Sequence, residues 1–564
     1  MMNVSEATVP TDLQPQKEYV NRRDATETEI KELPHVVDSI PFVVWIALVV
    51  SGAERFIFYA ATTPWQNYAQ YGADNVSIPG ALGLGESIAS NVSSVFYAFS
   101  FLMSFVFAVL SDALLGRYKT LSFDFVGCLV LFVTSLPSIT AYSAKLAGFI
   151  LAIFLIGLGT GGIKATITPF IGKFELFEFE YEKIIKISKS ETNKLVIKGD
   201  QYLDEAPKLI ITKSGERAVT DRTLTMQYIY NVFYWYYALY FEKFTSIATL
   251  SLIASTYLEK QVGYWAAFLL PLCSFSVIAP LLLLWNKKLV KLPPQGSVIP
   301  RTAKVILYSA RDRFRLDSAK PAYQAERYHK EVDWDDLFVD EIKRGLSACR
   351  IMACFIPYHL CNNQSVNNLI TQAGEMRLDG VPNDAIKAIN PIVCVFLGPI
   401  IQKMLYPRLR KAGIPFGPIA RMTWAFITMS ATMAFAAGVQ KLIYSKGPCY
   451  DHPLACSASD NGSIPNALSV WVQIPIFVLL GTAEILGFTT LAEYSYSEAP
   501  KNMRTLVQSL VQVSSGVGSA LGIAVSPVSD DPSVLFLYAG LAAVMFAVAI
   551  SFWVIFREFD WKSG

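Results

Sequence analysis

Long apolar stretches alternate with short polar or charged connections along most of this chain. A helix needs about 20 mostly apolar residues to cross the hydrocarbon core of a bilayer, so each stretch predicts one spanning helix. About twelve candidates lie at 41–64, 91–115, 120–142, 146–171, 224–258, 263–285, 342–370, 387–406, 417–438, 466–494, 503–527 and 533–556. The pattern predicts an all-α polytopic membrane protein.

Composition agrees with this class. The 564 residues are 53% hydrophobic and 17% charged, with a mean hydropathy of +0.37, whereas soluble domains have about 25% charged residues. A net charge of +2 does not indicate a basic surface that binds nucleic acid. The sequence contains neither a CxxC nor an HExxH spacing, so it predicts no metal site. It also shows no nucleophile paired with a general base, so it does not suggest catalysis. We therefore expect neither an enzyme, nor a cofactor, nor a nucleic-acid partner.

Charged residues in the short connections predict the orientation. Cytoplasmic loops of membrane proteins carry an excess of Lys and Arg. An even number of spans puts both termini on one side, and the loop at 72–90 on the opposite side has no Lys or Arg. The basic residues on the side of the termini are Arg117, Lys119, Arg408, Arg410, Lys411, Lys501 and Arg504. Both termini are therefore predicted to be cytoplasmic.

Two long polar stretches, 172–222 and 287–340, divide the chain. The second separates six spans from six, which predicts two helical bundles with a substrate site between them at mid-depth. The first 40 residues are polar, mix both charge signs and have no apolar signal-peptide core, so they predict a disordered tail. The expected organisation is a disordered cytoplasmic tail at 1–40, a bundle at 41–286 with a cytoplasmic insertion at 172–222, a cytoplasmic linker at 287–340, a bundle at 341–556 and a cytoplasmic tail at 557–564.

The predicted outer loops carry sites for covalent modification. Cys449 and Cys456 share one outer loop and can form a disulfide. Asn75 and Asn461 stand in glycosylation sequons on the same side, whereas Asn91 is expected to lie too close to the bilayer for modification.

Two motifs inside apolar stretches have structural interpretations. The run from Gly157 to Gly162 satisfies GxGxxG, but it lies late in an apolar helix, which argues against a dinucleotide site. Gly157 and Gly161 instead predict a small-residue face against which another helix packs closely. His359 is expected to be a hydrogen-bonded group between helices, with a proton relay as the alternative.

Four ionisable residues interrupt the apolar stretches: Glu54, Arg55, Lys164 and Glu484. A charge at the bilayer centre costs at least about 2.5 to 3.5 kcal/mol, so such residues usually line a substrate or ion path. They predict that the protein moves a solute across the membrane.

Several motifs in order along the chain then resemble a known family. They are Ala53-Glu54-Arg55-Phe56 with Phe58-Tyr59, Gly116-Arg117-Tyr118-Lys119-Thr120, Gly159-Thr160-Gly161-Gly162-Ile163-Lys164, Phe233-Tyr234-Trp235, Asn390-Pro391 and Glu493-Tyr494-Ser495-Tyr496-Ser497-Glu498-Ala499-Pro500. Together they resemble the proton-dependent oligopeptide transporters of the major facilitator superfamily, in the style of the fungal members. The resemblance implies a major facilitator fold.

The resemblance also implies substrate-binding residues. A short peptide is a zwitterion, so burying it requires an anion for its ammonium end and cations for its carboxylate end. Glu484 matches the family glutamate that holds the amino terminus, and Arg55 and Lys164 match positions assigned to the carboxylate. Asn390 matches an asparagine that bonds the peptide backbone, and Tyr59 can line a pocket for side chains.

Structural alternatives remain for two of these residues. Arg55 can serve only to neutralise Glu54, and Asn390 can serve only to cap a proline kink.

Glu54 and Glu484 are the candidate proton-coupling residues. The charges of Glu54, Arg55, Lys164 and Glu484 sum to zero, so a zwitterionic peptide plus one proton makes the loaded site +1. An inside-negative potential then favours inward movement by about 2.3 kcal/mol per charge per 100 mV.

The chain departs from the family pattern at several positions. Ser51 replaces the first glutamate of ExxER, which puts the usual proton route and its stoichiometry in doubt. Thr62 stands where many members have an arginine, so an outer salt-bridge gate of that kind is not expected, and Ala238 replaces a common asparagine. The runs 174–198 and 240–244 fit poorly, as insertions or as sequence that correct splicing would remove.

The resemblance thus implies a proton-coupled symporter that imports dipeptides and tripeptides by alternating access. We expect it to act as a monomer in the plasma membrane, although a vacuolar membrane remains open. The alternatives are a related carrier for nitrate or a peptide-like metabolite, and a nutrient sensor that binds without flux. A carboxylate in the site argues against a simple anion carrier.

Overall fold

The computed structural model describes residues 53–73, 80–111, 117–162, 240–285, 298–313, 315–412, 416–460, 462–498 and 504–560, together with short pieces at 23–24, 26, 29, 33, 35–36, 78, 208–211 and 217–220. Lys164, Ser51, Ala238 and both sequon residues Asn75 and Asn461 lie outside these residues.

Helices form nearly all of the described part of the first half. They are α1 at 53–62, α2 at Trp65–Gln70, α3 at Glu86–Ser111, α4 at Arg117–Thr134, α5 at Tyr142–Gly162, α6 at Tyr240–Gln261 and α7 at Tyr264–Trp285. Their apolar side chains pack into one core, with Tyr68, Phe96, Phe149 and Phe268 almost fully buried.

The second half is also helical. Its helices are α10 at Asp336–Cys354, α11 at Ile356–Gly374, α12 at Ile389–Ile400, α13 at Tyr406–Lys411, α14 at Pro418–Tyr444, α15 at Ile474–Glu498, α16 at Arg504–Val525 and α17 at Val534–Asp560. Short 3-10 turns lie at Asn383–Ala388, Ser457–Ser459, Val470–Gln473 and Ser526–Val528, and a π turn lies at Ile401–Leu405. A separate core forms here, centred on Phe355, Phe426 and Tyr538.

The stretch predicted to be a linker contains two helices, α8 at Val298–Arg311 and α9 at Pro321–Tyr328, with a 3-10 turn at Leu316–Ala319 between them. Their apolar residues share a small core with Val339 and Ile342 of α10. Trp334 Nε1 donates a hydrogen bond to Ala319 O at 2.9 Å. The linker is therefore anchored to the start of the second half.

Six helices of the described residues are long and apolar enough to cross a membrane, and shorter apolar segments lie in α4 and α7. The seventh predicted span, 342–370, is two helices in the structure and not one continuous helix. It is divided between α10 and α11 at Phe355, because Pro357 in the first turn of α11 cannot donate a helical hydrogen bond.

Two short sheets complete the described structure. Strands β1 at Arg23–Asp24, β2 at His35–Val36, β3 at Lys208–Ile211 and β4 at Arg217–Thr220 form a sheet in the order β1-β3-β4-β2. The prediction that 1–40 is disordered therefore does not hold for its two strands, because the insertion supplies apolar partners such as Leu209 and Val219. Strands β5 at Met376–Arg377 and β6 at Asn466–Ser469 pair in the second half.

Two packing predictions are confirmed. A Cβ atom on Gly157 would lie 2.7 Å from the Phe99 ring, and one on Gly161 would lie 2.7 Å from Met103 Cβ, so these glycines let α5 approach α3 closely. His359 of α11 lies within hydrogen-bond distance of Ser515 Oγ of α16, at 3.1 Å from Nε2. It is thus a polar contact between helices.

The predicted disulfide is also present. Cys449 and Cys456 are bonded, with their Cα atoms 5.5 Å apart. The bond closes a short loop that continues into β6, where Asn466 Oδ1 accepts a hydrogen bond from Cys449 N at 3.1 Å.

Candidate functional site

Glu54 and Arg55 form an ion pair in α1. Arg55 Nε lies 2.8 Å from Glu54 Oε2, and their side chains are 22% and 5% exposed. The Arg55 guanidinium also lies over the Phe58 ring, 5.5 Å from its centroid. In this conformation Arg55 neutralises Glu54, so the structural alternative for Arg55 describes this state of the protein.

Tyr59 lies one turn further along α1 and is 36% exposed. The Tyr97 phenol of α3 is a neighbour of the Tyr59 phenol and the Arg55 guanidinium. The Thr62 hydroxyl forms a hydrogen bond within its own helix, donating to Phe58 O at 2.8 Å. Cationic and aromatic groups of α1 and α3 are thus brought to the same region of the first half.

Asn390 and Glu484, predicted from distant parts of the sequence, are in direct contact. Asn390 Nδ2 of α12 donates to Glu484 Oε2 of α15 at 3.0 Å. Asn362 Nδ2 of α11 donates to Glu484 Oε1 at 3.2 Å. Asn390 therefore orients the Glu484 carboxylate.

The two helices that carry this contact approach closely. A Cβ atom on Gly481 would lie 3.0 Å from Val393 and 3.1 Å from Asn390 Oδ1. The thiol of Cys394 lies 3.9 Å from Glu484 Oε2. No ion pair within 4 Å involves Glu484 among the residues that the structure describes. The carboxylate is held by neutral donors.

The sequence reasoning missed Asp124, a carboxyl group buried to 5% exposure in α4. Its carboxyl faces α5, where a Cβ on Gly159 would lie 2.3 Å from Asp124 Cγ. Thr160 is a hydrogen-bonding neighbour, and Glu54 and Arg55 interact with Asp124 electrostatically. A lone Asp inside the apolar stretch 120–142 was the signal that could have revealed it.

A polar network joins the two halves at the end predicted to be extracellular. Asn67 Nδ2 donates to Asn383 Oδ1 at 2.9 Å, and Asn383 Nδ2 donates to Asn67 Oδ1 at 2.9 Å. Asn67 Nδ2 also donates to Glu259 Oε1 at 3.0 Å. Further contacts between the halves are Gln70 with Thr371 at 3.2 Å, Ser94 with Asn363 at 2.9 Å, Ser87 with Ser526 at 3.0 Å and Lys260 with Gly380 O at 3.2 Å. This end is closed.

The outer closure contains no ion pair within 4 Å between the halves in the described part of the chain. A small cavity lies beneath the closure and has room for about one water molecule. Its lining includes Thr62, Gln66, Tyr97, Asn367 and Lys387.

A buried carboxyl pair lies at the same end, within the second half. Gln440 Nε2 donates to Glu375 Oε2 at 2.8 Å and to Asp531 Oδ1 at 3.3 Å. The Tyr444 hydroxyl also donates to Asp531. Burial raises the pKa of Asp531 to about 6, and this pair was not foreseen from the sequence.

The described residues contain no group of three or more His, Cys, Asp or Glu side chains arranged for a metal ion. The candidate site consists of an acidic pole at Glu484, a cationic and aromatic region around Arg55, and a closed outer end. The Glu484 carboxylate can hold an ammonium group, and Arg55 can hold a carboxylate once it leaves Glu54.

Comparison with protein families gives one match over most of the chain. A sequence model of the POT family matches residues 120–542.

Relatives and solved structures are similar over nearly the whole length. Peptide transporter PTR_B of Candidozyma auris is 36% identical over 96% of this chain and 86% of its own. Peptide transporter PTR2 of Saccharomyces cerevisiae is 33% identical over 99% of this chain and 86% of its own. The crystal structure of the POT family transporter PepTSo aligns with a TM-score of 0.65 at 19% identity, covering 93% of this chain and 99% of that one.

Proposed function

Since this chain belongs to the POT family, we propose that it is a symporter that imports dipeptides and tripeptides together with protons by alternating access. It is a membrane carrier of the major facilitator fold. The relatives named above are peptide transporters, which supports a peptide substrate.

The environment of Glu484 is the observation that carries the proposal. Asn390 and Asn362 fix both oxygens of the carboxylate, and the described residues place no cation within ion-pair distance. A buried anion gains most from a positive partner that brings hydrogen bonds. The ammonium group of a peptide is such a partner.

The opposite pole belongs to the first half. Arg55 would hold the peptide carboxylate once it leaves Glu54, and Lys164 is the second candidate cation. Tyr59 and Tyr97 would contact peptide side chains. Protonation of Glu54 would free Arg55 for the substrate, because the neutral acid no longer competes for the guanidinium.

Asp124 adds to the first half a carboxyl group that can carry a proton. In that half Ser51 stands in place of the first glutamate of ExxER, so one carboxyl group is missing. Asp124 also changes the charge count, since Glu54, Arg55, Lys164, Glu484 and ionised Asp124 sum to −1. A zwitterionic peptide with one proton would then leave the site neutral, and a second proton would make it +1. The fixed charges cancel over a complete cycle, so the charge moved per peptide equals the number of coupled protons, to which Asp124 adds one when it carries a proton with the substrate.

The Asp124→Asn variant tests this role. We expect pH-driven accumulation of a labelled dipeptide to fall by roughly tenfold, because the variant cannot bind the proton while its amide fills the same space. Exchange of labelled for unlabelled dipeptide across vesicles without a gradient should persist, since it requires no net proton movement. Cys128→Ala, one turn along α4, is the control for disturbed packing. Equal loss of exchange and accumulation would give Asp124 a purely structural role.

Asn390→Ala should weaken substrate binding and spare the maximal rate. Loss of one hydrogen bond to a charged group costs about 1.5 to 3 kcal/mol, so we expect roughly a 10- to 100-fold rise in KM for a dipeptide. Concentration series of initial uptake rates at one pH give KM and the maximal rate separately. An unchanged KM would remove Asn390 from the site.

Uptake by cells that lack other peptide transporters tests the proposed function. We expect accumulation of a labelled dipeptide that increases as the external medium is acidified, accompanied by inward current. A nutrient sensor would bind the peptide without accumulation, and a nitrate carrier would accumulate nitrate but not the peptide. Either result would overturn the proposal.

The proposed setting follows from the sequence and the family. We place the protein in the plasma membrane as a monomer with both termini in the cytoplasm, and it requires no cofactor besides the coupling proton. The closed outer end supports an inward-facing stage of the cycle.

A further inference from the structure

Two buried carboxyl groups meet at the predicted outer end, one from each half. Glu259 lies in the last turn of α6 and is 4% exposed. Asp384 lies in the turn at Asn383–Ala388 and is fully buried. Asn67 of α2 bonds both Glu259 and Asn383, the residue before Asp384, and the two carboxyl groups interact with each other. Carboxyl groups of opposite halves are thus brought together where the protein is closed.

The hydrogen bonds around Glu259 leave one of its oxygens for Asp384. Oε1 accepts from Asn67 Nδ2 at 3.0 Å and from the Tyr264 hydroxyl at 3.1 Å. Oε2 is buried, and no N–H or O–H group of the described residues donates to it. Two ionised carboxylates have no hydrogen to share and repel each other in a buried site. The contact therefore requires a proton.

The surroundings indicate which carboxyl carries the charge. Asp384 interacts with the Lys387 ammonium, three residues along the same turn. That interaction stabilises an anion. Glu259 accordingly holds the proton and donates to Asp384, while its other oxygen accepts from Asn67 and Tyr264.

We propose that Glu259 and Asp384 form a proton-binding latch, in which closure of the outer end takes up a proton from the external medium. The orientation of this end rests on the proposed function. Opening the latch exposes both carboxyls to water, where they ionise in their ordinary range near pH 4. The latch proton returns to the outside on opening, so it is separate from the proton that travels with the substrate.

Other charged or titratable groups also surround the latch. They are Tyr264 of α7, Lys387 in the same turn, Lys260 next along α6 and Tyr68 of α2. Burial raises the pKa of Asp384 to about 6 and lowers the pKa of Lys387 to about 8. Experiments between pH 5 and 7 therefore address the carboxyls while Lys387 stays largely protonated.

The sign of the pH effect follows from proton uptake. The closed state binds at least one proton more than the open state, so acid favours closure. The ratio of closed to open protein should fall by about tenfold for each pH unit of increase, until the closed latch itself loses its proton.

Distances between the outer ends of the halves can measure this ratio. Val262→Cys in the first half and Ile464→Cys in the second replace exposed residues and can carry spin labels. The six other unpaired cysteines would be replaced, and the Cys449 to Cys456 disulfide retained. Pulsed electron resonance of the full chain in lipid nanodiscs at pH 5, 6 and 7 then gives closed and open populations.

The Glu259→Gln variant provides the decisive comparison. Its amide can donate to Asp384 without a proton, so we expect the closed population to lose most of its pH dependence above pH 6, where Asp384 itself is largely ionised. Asp379→Asn is the control, because Asp379 is exposed and its carboxylate bonds Ser469 of the same half at 2.7 Å. It should keep the pH dependence of the parent protein.

Two results would overturn the latch. The first is a parent distance distribution that stays the same from pH 5 to 7, and the second is a Glu259→Gln variant that retains the parent's pH dependence. The measurement uses no substrate, so it is separate from the test of peptide uptake. Uptake without a pH-dependent distance would remove the latch alone, and a pH-dependent distance without uptake would remove the transport proposal alone.

Discussion

Replacing Glu484 by Gln should abolish concentrative uptake of a labelled dipeptide. The substitution keeps the shape of the side chain but removes the negative charge that pairs with the substrate ammonium. Losing one member of a buried, hydrogen-bonded charge pair costs about 2 to 5 kcal/mol, which corresponds to a fall of about 30-fold or more in uptake at low substrate concentration. Initial rates of uptake in cells that lack other peptide transporters measure the change.

A control on the same helix separates charge in the site from charge in general. Glu493 also belongs to α15, but its side chain is 61% exposed and pairs with Arg421 at 3.5 Å. Exposed ion pairs contribute about 0 to 1 kcal/mol, so Glu493→Gln should leave uptake within about threefold of the parent. Normal uptake by Glu484→Gln at matched amounts of membrane protein would contradict the assignment of the acidic pole.

Gly518→Val is expected to cause the largest loss of folded protein. A Cβ on Gly518 of α16 would lie 2.5 Å from His359 Cβ and 3.0 Å from Ile356 O and Leu360 N of α11. Backbone atoms cannot move aside as a flexible side chain can, so α11 and α16 must separate. Overpacking of this kind costs about 1 to 3 kcal/mol or more.

Thermal unfolding in detergent, followed by size-exclusion chromatography, measures this effect. We expect a lower Tm and several-fold less monodisperse protein for Gly518→Val. Gly540→Val in α17 is the matched control, since a Cβ there meets no atom within 4 Å. Equal Tm values for the two variants would show that α11 and α16 are not in close contact in the folded protein.

The sequence predicts those parts of the fold that depend on a local pattern. Apolar stretches of membrane-spanning length predict helices because a bilayer requires internally bonded backbone. Glu484 could be identified in the same way, since a carboxylate in an apolar stretch is costly wherever it lies. Its contact with Asn390 was not predicted, because helix neighbours cannot be read from spacing alone.

The outer closure could not be predicted, because its partners are far apart in the sequence. Asn67 bonds Glu259 at a separation of 192 residues and Asn383 at 316 residues. Nothing in either local pattern indicates these partners. The division between α10 and α11 is different, since Pro357 was visible in the sequence and its effect on the seventh span was missed.

The reciprocal bonds between Asn67 and Asn383 have a consequence for turnover. Parting an ion pair requires work against Coulomb attraction, which in a buried site is several times larger than in water. Two neutral amides exchange their mutual bonds for bonds to incoming water, at a net cost of about 1 kcal/mol each. The Asn67 and Asn383 pair therefore adds little to the activation barrier for reopening the outer end of the empty carrier. The turnover rate of the carrier should consequently depend only weakly on ionic strength.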